Sequence, residues 1–274
     1  MNKKKVYSHS RLSTFEQCKI KFKFKYIDKY VPDVEETIES LLGKCAHESL
    51  EWLYKKVKEK NIPTIDDLIV YYTEIWRRMF TPDIVVVKDH LNPQDYFNKG
   101  IKFLLDYYIT NYPFADNTIE LEKKIEIVLD KEKNFAILGF IDRLVHNIET
   151  GEYEIHDYKT SGTLPTQEKI NSDRQLGLYA IAIKEIFGKD KKVCLNWHYL
   201  NFNKKICSRK TDQELEKLKK ETIKLIEEIE ATTEFPAQKS MLCNWCEYKN
   251  ICPAHGNIPP KLDRQKEIFD FGEE

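Results

Sequence analysis

The chain has 274 residues, which predicts one large domain or two small ones. Apolar residues make up 41% and aromatic residues 12%, enough to build a core, so disorder over the whole length is excluded. Lys+Arg (44) and Asp+Glu (45) nearly cancel to a formal charge of -1, which excludes a uniformly basic nucleic-acid coat but not a local basic patch. The longest apolar stretch, Leu176 to Ile183, is eight residues and too short to span a bilayer, so no membrane partner is expected. Lys3, Lys4 and Lys5 make a basic start with no apolar segment behind it, so no signal peptide and a cytoplasmic location are expected. Seven cysteines without a secretion signal point to a reducing compartment, where clustered thiols more often bind metal than form disulfides.

In chain order, Ser8 to Tyr30 opens with capping serines: Ser10 precedes Leu12 and Phe15, and Ser13 with Glu16 fits a capping box. Lysines then alternate with Ile20, Phe22, Phe24 and Tyr26, a period-2 pattern proper to a strand, but the capping signals favour a helix. Residues 1–30 carry nine Lys/Arg against Glu16 and Asp28, so the neutral total hides a basic N-terminal segment. Helical spacing follows over Ile38 to Lys58, Asp66 to Phe80 and Gln94 to Tyr112, with Pro82 and Pro93 bounding the loop between the last two. Ile119 to Leu129, Phe135 to Ile148 and Glu152 to Thr160 read as strands, the last two joined by a turn at Thr150-Gly151. A helix from about Ser172 to Phe187 closes at Gly188. Strands Val193 to Phe202 and Lys205 to Lys210 precede a helix capped by Thr211 and Glu214 that runs to about Glu230. The order predicts an α/β fold, a mixed sheet core carrying helical additions.

Two strands carry unusual polar residues. Asp142 interrupts the apolar run Ile137 to Val145, and Asp157 lies two positions before Lys159. Residues two apart share a strand face, so carboxylate and ammonium project together, and neighbouring strands would bring Asp142 near Asp157. Paired carboxylates suit Mg²⁺ or Mn²⁺, and an adjacent lysine stabilises charge on a phosphate or positions a water. Taken alone, Asp157 and Lys159 more often describe a surface ion pair, and His47 on its apolar helix face a satisfied core histidine.

Gly139-x-Ile141-Asp142 followed by Asp157-Tyr158-Lys159-Thr160 resembles the PD-(D/E)XK nuclease signature in the form found in RecB- and AddB-type nuclease domains. Further parts of that form are matched by Gly43-x-x-x-His47, by Gln175-x-x-x-Tyr179, and by Ser8-x-Ser10-x-Leu12-x-x-Phe15-x-x-Cys18, where Lys19 replaces the usual proline. Glu122 best fits the acid expected on the preceding strand, ahead of Glu120 and Glu126. The resemblance implies a restriction-endonuclease-like core, with Asp142, Asp157, the Tyr158 carbonyl, His47 and Glu122 on Mg²⁺ or Mn²⁺. In the same frame Lys159 is the catalytic lysine, and Gln175 and Tyr179 contact substrate phosphate or that lysine. It covers nearly the whole chain except residues 60–115, expected to be a family-variable helical insertion.

Near the C-terminus Cys243, Cys246 and Cys252 form C-x₂-C-x₅-C, which needs a fourth ligand. Zinc completed by His255 is one solution. The family resemblance implies another, a 4Fe–4S cluster whose fourth thiolate is Cys18, as in AddB-type and CRISPR-associated nucleases. Either metal would clip both termini together, making binding energy folding energy. Cys45, Cys194 and Cys207 are expected to be core or edge thiols.

These signals predict a single interlocked nuclease domain over 1–274. Its parts are N-terminal helices (1–60), a helical insertion (61–115), a nuclease core (116–210), and a C-terminal helix with the cysteine cluster (211–274). The expected activity is metal-dependent DNA hydrolysis, best as an exonuclease on single-stranded ends, in repair, recombination or CRISPR/phage DNA processing. The basic, aromatic segment Lys19 to Tyr30 is a candidate phosphate-binding and stacking surface, or else a helix packing Phe22 and Phe24 inward. No P-loop motif is present, so unwinding would need a helicase or other repair or CRISPR partner. The alternatives are a catalytically vestigial iron–sulfur DNA-binding subunit and a zinc-bearing restriction-type endonuclease.

Overall fold

A computed structural model describes residues 4–32 and 36–260. Strand β1 (Lys5–Tyr7) leads into α1 (His9–Gln17) and α2 (Lys19–Phe22), which continues as a π-helical turn over Lys23–Ile27. Three longer helices follow: α3 (Ile38–Lys58), α4 (Ile65–Met79) and α5 (Pro93–Asn111). The sheet run is β2 (Thr118–Asp130), β3 (Phe135–His146) and β4 (Tyr153–Lys159), then α6 (Gln167–Asn171), α7 (Arg174–Phe187), β5 (Val193–Tyr199), β6 (Lys204–Ser208) and α8 (Asp212–Ala231). Three short 3₁₀ turns, Met241–Trp245, Lys249–Ile251 and Pro253–His255, carry the C-terminal cysteines.

The period-2 stretch is helical, and its alternation has a helical cause. Residues two apart on a helix lie about 200° apart, on opposite sides. Phe22 packs on Phe15, Tyr26 and Phe235 of the main core, whereas Phe24 packs on Tyr30 and Tyr248. The segment is therefore buried on two sides, between the core and the C-terminal cysteine segment. The cap of α1 also differs from expectation. Ser8 is the N-cap, accepting from the Arg11 amide, while Ser13 and Glu16 both reach Arg174 on α7 instead of closing a box.

Antiparallel β2 pairs with β3 along almost its whole length. The other edge of β3 is shared by two strands: parallel β1 at Phe135–Ile137 and antiparallel β4 at Arg143–His146. The sheet continues through parallel β5 and antiparallel β6. Between β1 and β4, residues 138–142 of β3 face an opening on that edge.

Two apolar cores flank the sheet. Ile155 of β4 joins one with α1, α7 and α8, and Tyr158 joins the other with α3, α4 and α5. Residues of opposite parity on a strand point to opposite faces, so the two cores lie on opposite sides of β4. Among the described residues no helix is long and apolar enough to cross a membrane.

Candidate active site

The opening in β3 is where the polar residues gather. The β3–β4 register pairs Arg143 with His156, and one step further it sets Asp142 level with Asp157. The β2–β3 register pairs Leu121 with Arg143 and Lys123 with Ile141, which sets Glu122 level with Asp142. Three acids on three strands thus stand in one row across the sheet. Glu122 has φ 45°, a left-handed conformation unusual for a side chain other than glycine, and such strain concentrates at functional sites.

Strand β4 stops pairing with β3 at this level, so the Tyr158 backbone needs other partners. Its N–H donates to Asp142 Oδ2 at 2.9 Å, and its carbonyl lies 2.7 Å from His47 Nε2. The other His47 ring nitrogen, Nδ1, lies 3.4 Å from Asp142 Oδ2, so the imidazole bridges the Tyr158 carbonyl and the Asp142 carboxylate. Helix α3 delivers His47, one turn after Gly43, whose Cα faces Thr160.

The Lys159 ammonium pairs with Asp157 Oδ2 at 2.6 Å and donates to Gln175 Oε1 at 3.2 Å. Gln175 in turn donates to the Tyr179 hydroxyl at 3.4 Å, so both residues expected on one face of α7 support the lysine. Tyr179 depends on Gly139, where a Cβ would fall 2.5 Å from its ring.

Ligand atoms of His47, Glu122 and Asp142 all lie within 4.8 Å of one another, the one such group among the described residues. Asp157 stands beside that trio, held by Lys159. Crowding shows in protonation. Burial, then the Asp157 charge, pushes the Asp142 carboxyl up to about 6. Burial, then the charges of Asp142 and Glu51, pushes Glu122 up to about 7. Burial opposes the charge of Lys159, but Asp157 and Asp142 more than offset it and raise its pKa. Acids that resist ionising together are primed for a cation, and one imidazole with carboxylates suits Mn²⁺ or Mg²⁺.

Several site neighbours had no sequence signal. His9 is mostly buried, its pKa lowered to about 4 by burial and then by Arg174 and Lys159, and its Nε2 lies 3.1 Å from Ser13 Oγ. Arg174 ties Ser13 and Glu16 to the start of α7, next to Gln175. Asp173 caps α7 by accepting from the Leu176 amide. Behind the site, buried Arg143 holds the Tyr158 hydroxyl, Asp116, Thr118 and His156. The apolar pattern of β3 hid Arg143, and Arg174 answers to partners about 160 residues earlier in the sequence.

The cysteines are all free. Cys18, at the α1–α2 junction, lies close enough to Cys246 for their charges to interact. Lys21 pairs with Glu247 at 2.6 Å, and the Tyr248 hydroxyl donates to the Tyr30 carbonyl at 3.3 Å, docking the two ends. The Ser240 amide donates to Cys243 Sγ at 3.4 Å, and the Tyr248 amide donates to Cys246. Burial pushes the Cys246 thiol up. His255 follows in the last 3₁₀ turn; Cys45 and Cys194 are buried, and Cys207 is exposed on β6.

The lysines of the basic segment are engaged rather than free. Lys19 pairs with Glu228, Lys21 and Lys25 with Glu247, and Lys23 with Asp28. With Phe22 and Phe24 each 1% exposed, this stretch packs both rings inward, as the helix reading expects.

A mixed sheet with acids level across its central strands and a lysine beside them defines a nuclease-type site. The chain belongs to the PD-(D/E)XK nuclease superfamily, whose family model matches residues 6–253. A solved structure described as "Crystal structure of SSO0001" matches at 17% identity over 79% of this chain and 96% of that one, with a TM-score of 0.36. No curated protein matches the chain.

Proposed function

We propose that the protein is a Mg²⁺- or Mn²⁺-dependent deoxyribonuclease that degrades single-stranded DNA from its ends, in repair, recombination or CRISPR/phage DNA processing. The observation that carries this is the row Glu122–Asp142–Asp157 across three strands, with His47 above it and Lys159 beside it. His47, Glu122, Asp142, Asp157 and the Tyr158 carbonyl would hold the ion. When bound, it supplies Lewis acidity toward the phosphodiester and its attacking water. Lys159, kept cationic by Asp157 and Asp142, orients that water and stabilises charge building on the phosphate oxygens. Gln175 fixes the lysine, Tyr179 fixes Gln175, and Asp142 holds the β4 edge through the Tyr158 amide.

In this reading the chain is one interlocked domain, clipped by a 4Fe–4S cluster on Cys18, Cys243, Cys246 and Cys252. The approach of Cys18 to Cys246 and the amides aimed at sulfur support it, since hydrogen bonds to sulfur tune such clusters. Unwinding would fall to a partner protein.

Anaerobically purified protein should degrade end-labelled single strands with Mn²⁺ or Mg²⁺ and not with chelator. Binding without cleavage under every metal would favour a vestigial DNA-binding subunit instead.

A further inference from the structure

A cleft of ≈ 620 Å³ opens directly from the candidate metal site, with His47 and Glu122 at its inner end. That volume lies within the roughly 300–1,000 Å³ of pockets that hold small ligands. Its side is formed by Trp52 of α3 and Tyr71 of α4, whose rings stack at 4.5 Å and 12°. The core stripe of α4 is Leu68, Tyr72, Ile75 and Trp76; Tyr71 falls outside it and is only partly buried, as is Trp52. Both rings also rest against the α3–α5 core, so the pair is anchored from behind while part of each ring lines the cleft.

The charged walls are already paired. Glu51 binds Lys55 at 2.6 Å, Glu48 binds Arg78 at 2.5 Å, and Lys44 binds Glu36 at 2.9 Å. A cleft whose cations are held by their own acids is poorly suited to a phosphate, and a flat aromatic ledge is well suited to an uncharged ring.

Resting on the nuclease function proposed above, we infer that Trp52 and Tyr71 are a stacking ledge for one nucleobase of single-stranded DNA, next to the phosphate at the metal site. A base inside a duplex is stacked on both faces and offers none to such a ledge, so the cleft favours an unpaired nucleotide over a base-paired interior one. The helices α3 and α4, one of them within the stretch expected to vary between relatives, would then carry strand preference while the sheet carries the chemistry.

The test uses the full chain with Lys159→Ala, so that binding is read without cleavage, and fluorescein-labelled single strands carrying one abasic position stepped from the end. In Mg²⁺, one abasic position should weaken binding on the order of tenfold, the size expected for one stacked base. Adding Trp52→Leu should abolish the penalty at that position alone. Trp52→Phe, which keeps an aromatic face, should retain much of it and guards against a leucine variant that does not fold. Oligonucleotide should also quench tryptophan fluorescence less in Trp52→Phe than in the parent. An abasic penalty of equal size in parent and Trp52→Leu, or equal quenching in parent and Trp52→Phe, would overturn the ledge while leaving the nuclease function standing. Absence of single-strand binding by the parent together with absence of cleavage by the unmutated protein would overturn both.

Discussion

Glu122, Asp142 and Asp157 stand at matched levels on three paired strands, whereas Cys18, Cys243, Cys246 and Cys252 lie at a helix junction and in short 3₁₀ turns. The ladders on either side set the acids level before any ion arrives, and burial, then their neighbours' charges, raises the carboxyl pKa values of Asp142 and Glu122. The cysteine segment has no ladder. Between 232 and 260 only Tyr248 and Cys252 are buried, and its docking relies on Lys21–Glu247, Tyr248–Tyr30 and the Tyr30 hydroxyl donating to the Pro260 carbonyl. A site built on a sheet keeps its shape without its ion; the proposed cysteine site, built on turns, would depend on what it binds.

That contrast can be broken from either side. The largest effect is expected at Lys159. Lys159→Ala should lower cleavage by about 10²–10³-fold, the usual loss for one preorganised charge-stabilising group, with far-UV circular dichroism and melting temperature nearly unchanged. Cys246→Ser should do the reverse, costing several degrees of melting temperature and the bound iron, read by metal analysis of anaerobic protein, while Mn²⁺ binding at the sheet persists. Gly139→Ala should cost about 1–3 kcal/mol by driving a methyl group into the Tyr179 ring, measured by denaturant unfolding, and should loosen Gln175 and hence Lys159.

The smallest effect is a pH signature. Asp142 and Glu122 titrate near 6 and 7 in the folded, metal-free protein, above ordinary carboxyl values. The folded state therefore binds more protons than the unfolded state between about pH 4 and 7. The stability these groups contribute is fully present below pH 4 and is lost as pH rises through 6 to 7. Metal-free protein should lose a few degrees of melting temperature from these groups on that rise, and Mn²⁺ should restore them, because the ion binds the deprotonated acids. A Glu122→Gln, Asp142→Asn variant should flatten this part of the profile in differential scanning calorimetry.

Much of the site was legible because it is written locally. Helix α3 begins and ends where the Leu42–Leu50–Leu53 stripe predicts, and Asp142, Asp157 and Lys159 sit on strands recognisable by their apolar runs. The row formed by Glu122 depends on register, which the sequence does not state. The partners of the basic segment are just as invisible locally. Its lysines look free until α8 and the cysteine segment, some 200 residues later, bring Glu228 and Glu247 to them. Arg174 likewise acts through Ser13 and Glu16, about 160 residues earlier, and Arg143 through partners on β4 and ahead of β2 that no spacing rule marks. Strand β1 was unpredicted because three residues are too few for a pattern.

The central claim is that His47, Glu122 and Asp142 form a divalent-ion site on a preformed sheet, and Mn²⁺ titration by isothermal calorimetry tests it most directly. The account predicts saturable binding of one or two ions by the unmutated protein, weakened at least tenfold in Asp142→Asn with the fold intact. Binding of equal affinity in both proteins would contradict it.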